Sequence, residues 1–118
     1  MELDLFAGIP VSDFAAAVDW YERLLGGAPT FFPNDREAVW ELAGHRYLYI
    51  ELLPARAGHS MATIFTGDLD TLVDGITARG LEPAQRETYD NGVRKVTYRD
   101  PDGNEIGFGG APDQLSTG

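Results

Sequence analysis

A chain of 118 residues, 43% hydrophobic and 24% charged, describes one globular domain with enough apolar residues for a core. Nineteen acidic residues against nine basic ones give a net charge of −10; this surface repels nucleic acid, and it either serves solubility alone or attracts a cationic ligand. The absence of cysteine excludes disulfides, thiolate catalysis and Cys-ligated zinc; no apolar run spans a membrane, the start MELDLFAGIP lacks the order of a signal peptide, and a cytoplasmic location is expected.

In chain order, residues 3–11 read as a strand with Leu3, Leu5, Ile9 and Val11 on one parity. Ser12 or Asp13 caps a helix over 14–25, with Phe14, Ala17, Val18, Tyr21, Leu24 and Leu25 on one apolar face and Gly26-Gly27 as its stop. Short strands follow over 29–32, 38–42 and 47–53, separated by turn residues, and 54–58 is a linker. The order then restarts: a strand over 60–66, a helix over 69–79 capped by Asp68 and stopped by Gly80, and strands over 84–89, 93–99 and 105–109. The polar tail, 111–118, is expected to fray.

This is an internal repeat. At an offset of 55, Asp13, Val18 and Asp19 fall on Asp68, Val73 and Asp74; at 54, Gly26 and Pro29 fall on Gly80 and Pro83. Each unit has the order β-α-β-β-β, about 3–53 and 59–110, within one domain spanning 1–118. The fold class is α+β: a curved mixed sheet with helices outside and a cleft inside.

Two motifs, VSDFAAAVDWYERLLGG at the first helix and RDPDGNEIGF across the last turn, resemble those of the vicinal oxygen chelate superfamily. That superfamily includes glyoxalase I, extradiol dioxygenases, fosfomycin resistance enzymes and bleomycin resistance proteins. The resemblance covers about residues 3–110 and is specific for fold rather than reaction. In metal-using members it implies four inner-facing ligand positions. Counting from the motifs puts three of them on Phe6, Met61 and Gly107, and the resemblance of YIELLP to glyoxalase-like members puts the fourth on Glu51. Phe offers no donor, Gly has no side chain, and a Met thioether suits hard or borderline metals poorly. Only Glu51 keeps a ligand type, so no cofactor is expected. The alternative is a divalent metal at a displaced pair, His59 and Glu51. His59 shares the parity of Met61 but lies two residues earlier, nearly 7 Å along a strand at about 3.3 Å per residue.

Parity turns Tyr49, Glu51, Met61, Thr63, Phe65, Glu105 and Gly107 to the cleft. Trp40, Tyr47, Phe31, Phe32 and Tyr89 either line it or belong to the core. Lys95, Thr97 and Arg99 share a parity that points either to the cleft rim or to solvent. His45, in a turn beside Gly44, is expected to be exposed. The ligand-binding set is therefore Phe6, Trp40, Tyr49, Glu51, Met61, Thr63, Phe65 and Gly107, with no catalytic residue unless Glu51 serves an enzyme. The resemblance implies a homodimer that shares its clefts and sequesters a small aromatic or cationic molecule, such as an antibiotic. The alternative is a glyoxalase-like lyase or isomerase, or a dioxygenase, with a displaced metal site.

Overall fold

Two helices and eight strands, described over residues 1–112 in a computed structural model, follow the expected order. The first unit contains β1 (Leu5–Val11), α1 (Phe14–Leu25), β2 (Phe31–Asn34), β3 (Glu37–Ala43) and β4 (Arg46–Leu52). A 3-10 turn at Pro54–Arg56 leads to the second unit: β5 (Met61–Thr66), α2 (Leu69–Ala78), β6 (Gln85–Thr88), β7 (Arg94–Arg99) and β8 (Glu105–Gly110). The expected tail falls largely on 113–118, outside the described residues. No helix among the described residues is long and apolar enough to cross a membrane.

The strands form two four-stranded sheets, ordered β1-β4-β3-β2 and β5-β8-β7-β6. In each, the first strand pairs parallel with the fourth of its unit and the remaining pairs are antiparallel. Parallel pairing needs a crossover, and each helix supplies one. Local chemistry sets the helix ends. Asp13 accepts from the Ala16 N–H at 3.1 Å, and Asp68 accepts from the Thr71 N–H and hydroxyl at 3.2 and 2.8 Å. Ser12, the other candidate cap, instead donates its N–H to Asp102 at 2.9 Å and its hydroxyl to the same carboxylate.

One apolar core joins the two units. It takes Ile9, Tyr21, Leu24, Trp40 and Ile50 from the first and Leu69, Val73, Ile76, Tyr98, Ile106 and Phe108 from the second. Arg79 adds a tie between the helices, donating to the carbonyls of Arg23 and Leu24 at the end of α1, where carbonyls lack helical partners.

The strongest tie is the turn between β7 and β8. Asp100 and Asn104 are buried there, 5% and 0% exposed. Asp100 Oδ1 accepts from the N–H groups of Asp102 and Asn104, each at 2.9 Å. Its Oδ2 accepts from the Tyr21 hydroxyl and Asn104 Nδ2, each at 2.8 Å. Asn104 Oδ1 accepts from Gly58 and Ser60 N–H groups at 2.9 and 3.0 Å, and Nδ2 also donates to the Pro10 carbonyl at 2.8 Å. Gly103 closes the turn at φ 96°, a conformation that side-chain-bearing residues rarely adopt. The cluster thus links β8 to α1, β1 and the segment entering β5.

Two outcomes follow for this cluster. Asn104→Ala strands part-buried partners at Gly58, Ser60 and Pro10 and removes a donor from the buried Asp100 carboxylate. Chemical denaturation should show a loss of about 3–5 kcal/mol, since each unsatisfied buried group costs about 1–3 kcal/mol. A loss under about 1 kcal/mol would show that water replaces the amide. For Tyr21, burial first and the Asp100 charge second push the hydroxyl well above its ordinary value of 10.0. The native state therefore keeps a proton that the unfolded chain releases. Its contribution is complete below pH 10 and falls as pH rises above it. Tyr21→Phe should cost about 1.5–3 kcal/mol at neutral pH, and denaturation across the alkaline range should show a shallower decline than the parent. Parallel alkaline limbs would contradict this assignment.

Candidate functional site

The faces turned away from the helices carry the expected site residues other than Trp40. On the first sheet the rows across β1, β4 and β3 are Phe6–Tyr47–Glu41, Gly8–Tyr49–Val39 and Pro10–Glu51–Glu37. Phe6 stacks on Tyr47 with centroids 4.3 Å apart and planes at 7°, and meets Tyr49 edge-on at 6.4 Å. Desolvation first, then the charges of Glu41 and Asp4, raise the Tyr47 hydroxyl above its ordinary range, so it remains a neutral donor. A cavity of about 160 Å³ beside Glu51 is lined by Gly8, Ile9, Pro10, Tyr49, Glu51, Leu53 and Arg56. All of these belong to the first unit or the linker.

On the second sheet the rows across β5, β8 and β7 are Met61–Glu105–Arg99, Thr63–Gly107–Thr97 and Phe65–Gly109–Lys95. Met61 and Phe65 are 73% and 64% exposed. A cavity of about 410 Å³ lies where the sheets adjoin, lined among others by Leu5, Ala7 and Tyr47 from the first unit and Ala62, Thr63 and Phe65 from the second. The expected set is therefore divided. Tyr49 and Glu51 share one cavity, Thr63 and Phe65 share another, and Phe6, Met61 and Gly107 line neither.

Trp40 requires a correction. It pairs in register with Leu48, on the helix side of β3, and is only 4% exposed. Its indole N–H donates to the Gly27 carbonyl at 2.9 Å, and its ring lies 6.0 Å from that of Tyr21. Alternation puts Val39 and Glu41, not Trp40, on the face of Tyr49. Phe31 and Phe32 are exposed at the opposite edge of that sheet, and Tyr89 is exposed in the second unit.

Glu51 also stands differently from the position its YIELLP neighbours suggested. Phe6 pairs with Tyr47, and Met61 pairs with Glu105. Two residues beyond Glu105 is Gly107, and two beyond Tyr47 is Tyr49. Glu51 lies two residues further, about 7 Å along the strand. By register the counterpart of Gly107 is Tyr49, and the Glu51 carboxylate is displaced from it.

The residues present do not fit a divalent metal. Phe6, Met61, Gly107 and Tyr49 provide no hard anionic donor. Among the described residues no group of three or more His, Asp or Glu is placed to hold one. His59 is exposed just before β5, and its side chain has no ion-pair partner among the described residues. His45, at φ 67°, is committed elsewhere: its Nε2 and Nδ1 meet Glu2 and Asp4 at 2.6 and 2.5 Å.

Three glycines on these faces are covered by side chains from neighbouring strands. A Cβ at Gly8 would stand 2.6 Å from the Tyr49 ring, one at Gly109 would stand 2.6 Å from the Phe65 ring, and one at Gly107 would stand 2.6 Å from Lys95 Cε. Lys95 is one of three residues, with Thr97 and Arg99, that the pattern left between rim and solvent. Parity gave its face; its direction along that face depends on the space above Gly107.

Residues 3–108 match the family model for the Glyoxalase/Bleomycin resistance protein/Dioxygenase superfamily. A glyoxalase / bleomycin resistance protein of known structure from Catenulispora acidiphila DSM 44928 is 56% identical, with a TM-score of 0.91 over 94% of this chain and 100% of that one. A bleomycin resistance determinant encoded on transposon Tn5 is 18% identical, with a TM-score of 0.74 over 92% and 97% of the two chains. A lactoylglutathione lyase from Agrobacterium tumefaciens is 18% identical, with a TM-score of 0.71 over 90% and 91%. The last two likenesses are of fold alone. No curated protein matches the chain. The family match and the 56%-identical relative agree with the paired β-α-β-β-β units, and the chain belongs to the glyoxalase/bleomycin resistance protein/dioxygenase superfamily.

Proposed function

We propose that this chain is a cytoplasmic protein that binds and sequesters a small, partly aromatic molecule through side-chain contacts, without a metal ion. The observation that carries this reading is the make-up of the inner faces. Phe6, Met61 and Phe65 expose apolar surface, Tyr47 and Tyr49 add rings with polar tips, and Glu51 supplies a carboxylate beside Glu37, its partner across the strands. Rings of this kind stack on planar ligands. Glu51 accepts hydrogen bonds from a cationic group, which the net charge of −10 also attracts.

Proton-transfer catalysis needs a second group of suitable pKa within reach. Around Glu51 stand Tyr49, Arg56, which stays protonated, and across the strands Glu37, whose carboxylate is engaged by the Asn34 side-chain amide at 2.7 Å. This favours binding over conversion. The name of the Tn5 protein ties that protein to bleomycin, and an antibiotic or aromatic metabolite of cationic character is the ligand we propose for this one.

The working cleft in this reading is shared by a homodimer, with the first unit of one chain facing the second unit of its partner. The exposure of Met61 and Phe65, and a Glu51 cavity built without the second unit, support it. A second copy would cover apolar surface that a single chain leaves to water.

Calorimetric titration with cationic glycopeptides and aromatic amines tests the reading. Saturable binding of at least one is expected, unchanged by a chelator and weakened about tenfold, ~1.4 kcal/mol, by Glu51→Ala. Absence of binding across the series would overturn the reading. Binding that a chelator abolishes would favour a lyase, isomerase or dioxygenase with a displaced metal site.

A further inference from the structure

Lys95 is the only lysine in the chain. Its backbone pairs with Gly109 on β8 and, on the other side, with Glu87 on β6. An ordinary surface lysine in this place would lean to Glu87, the carboxylate directly opposite on the same face. Lys95 does not. Its stem leans over β8, with Cε lying over Gly107. Lys95 Nζ and Thr63 Oγ1 each lie 3.6 Å from the point that a Cβ of residue 107 would occupy. Lys95 forms no ion pair among the described residues; the nearest pair on this face is Arg99 with Glu105 at 3.5 Å. The neighbouring Phe65 ring covers Gly109.

We propose that Lys95 and Thr63 form an anion-binding position on the inner face of the second sheet, and that it takes the carboxylate of an aromatic acid. The ammonium supplies charge and the hydroxyl a second donor, while Phe65 supplies an adjacent ring surface. Gly107 is the device that makes the position: without a side chain there, the lysine stem lies flat and carries its charge away from Glu87. The protein as a whole is strongly acidic and repels anions. An anionic group is therefore held by a local cation or not at all. This deepens the small-molecule reading above and rests on it: the second unit reads an acidic group, while the first offers Glu51 to a basic one.

The single lysine makes the test direct, because protein labelled with [ε-13C]lysine gives one lysine signal. Titration with benzoate should shift that signal saturably, and benzoate should bind at least fivefold more tightly than benzamide, its neutral counterpart. Lys95→Met should bring the two affinities together, and Lys95→Arg should keep them apart. Gly107→Ala should do what Lys95→Met does while leaving the fold intact, since the atom it displaces is the far end of a flexible side chain. Benzoate and benzamide binding equally well to the parent would overturn the anion position and leave the general binding reading standing. Binding of neither, together with failure of the cationic series, would remove both. A benzoate preference that survives Lys95→Met and Gly107→Ala would place the anion elsewhere and overturn the assignment.

Discussion

The buried carboxylate of Asp100 is the constraint on which the two-unit architecture depends. Removing a carboxylate from water costs several kcal/mol unless hydrogen bonds replace its hydration. Here four donors do so, and they come from both halves of the molecule: backbone of its own turn, the Asn104 amide, and the Tyr21 hydroxyl from α1. Asn104 extends the network to β1 through Pro10 and to the entry of β5 through Gly58 and Ser60. Apolar packing is not directional. The shared core draws the units together, whereas these bonds fix the angle and register at which they meet. The strands that carry the inner faces are thereby held against each other without a hydrogen-bonded ladder joining the two sheets.

The inner faces use the same economy of space three times. Tyr49, Phe65 and Lys95 each lie across a glycine on an adjacent strand. This paves the surface with large side chains lying flat, and it uses the positions where donors would otherwise stand. Gly107 illustrates the exchange: what remains above it is the stem of a lysine. The result is a surface suited to contact, stacking and charge pairing. Among the described residues it gathers no group of three His, Asp or Glu side chains of the kind that holds a Lewis-acid metal.

Much of the fold was legible because its signals are local. Asp13 and Asp68 cap where they were expected, the helix over 14–25 matches in full, and Pro101-Asp102-Gly103 turns the chain between β7 and β8. The repeat gave the number of units. Reach across the fold was not legible. That Asp100 bonds to Tyr21, 79 positions away, follows from how the units dock. Trp40 was expected in the cleft because aromatic rings suit a ligand, yet its pairing with Leu48 commits it to the helix side. Glu51 was placed by its neighbours in sequence, and the parallel register against β1 displaced it. The lean of Lys95 was invisible for a similar reason: a strand pattern assigns a face, and only the neighbouring strands decide the direction of a long side chain on it.

The central proposal is that this member of the superfamily works through side-chain contacts in a cleft shared by two copies, with no metal at its centre. Native mass spectrometry of protein purified without chelator tests it most directly. The account predicts the mass of two chains with no divalent metal added. A mass that includes one metal ion per cleft, lost together with the Glu51 carboxylate, would contradict it.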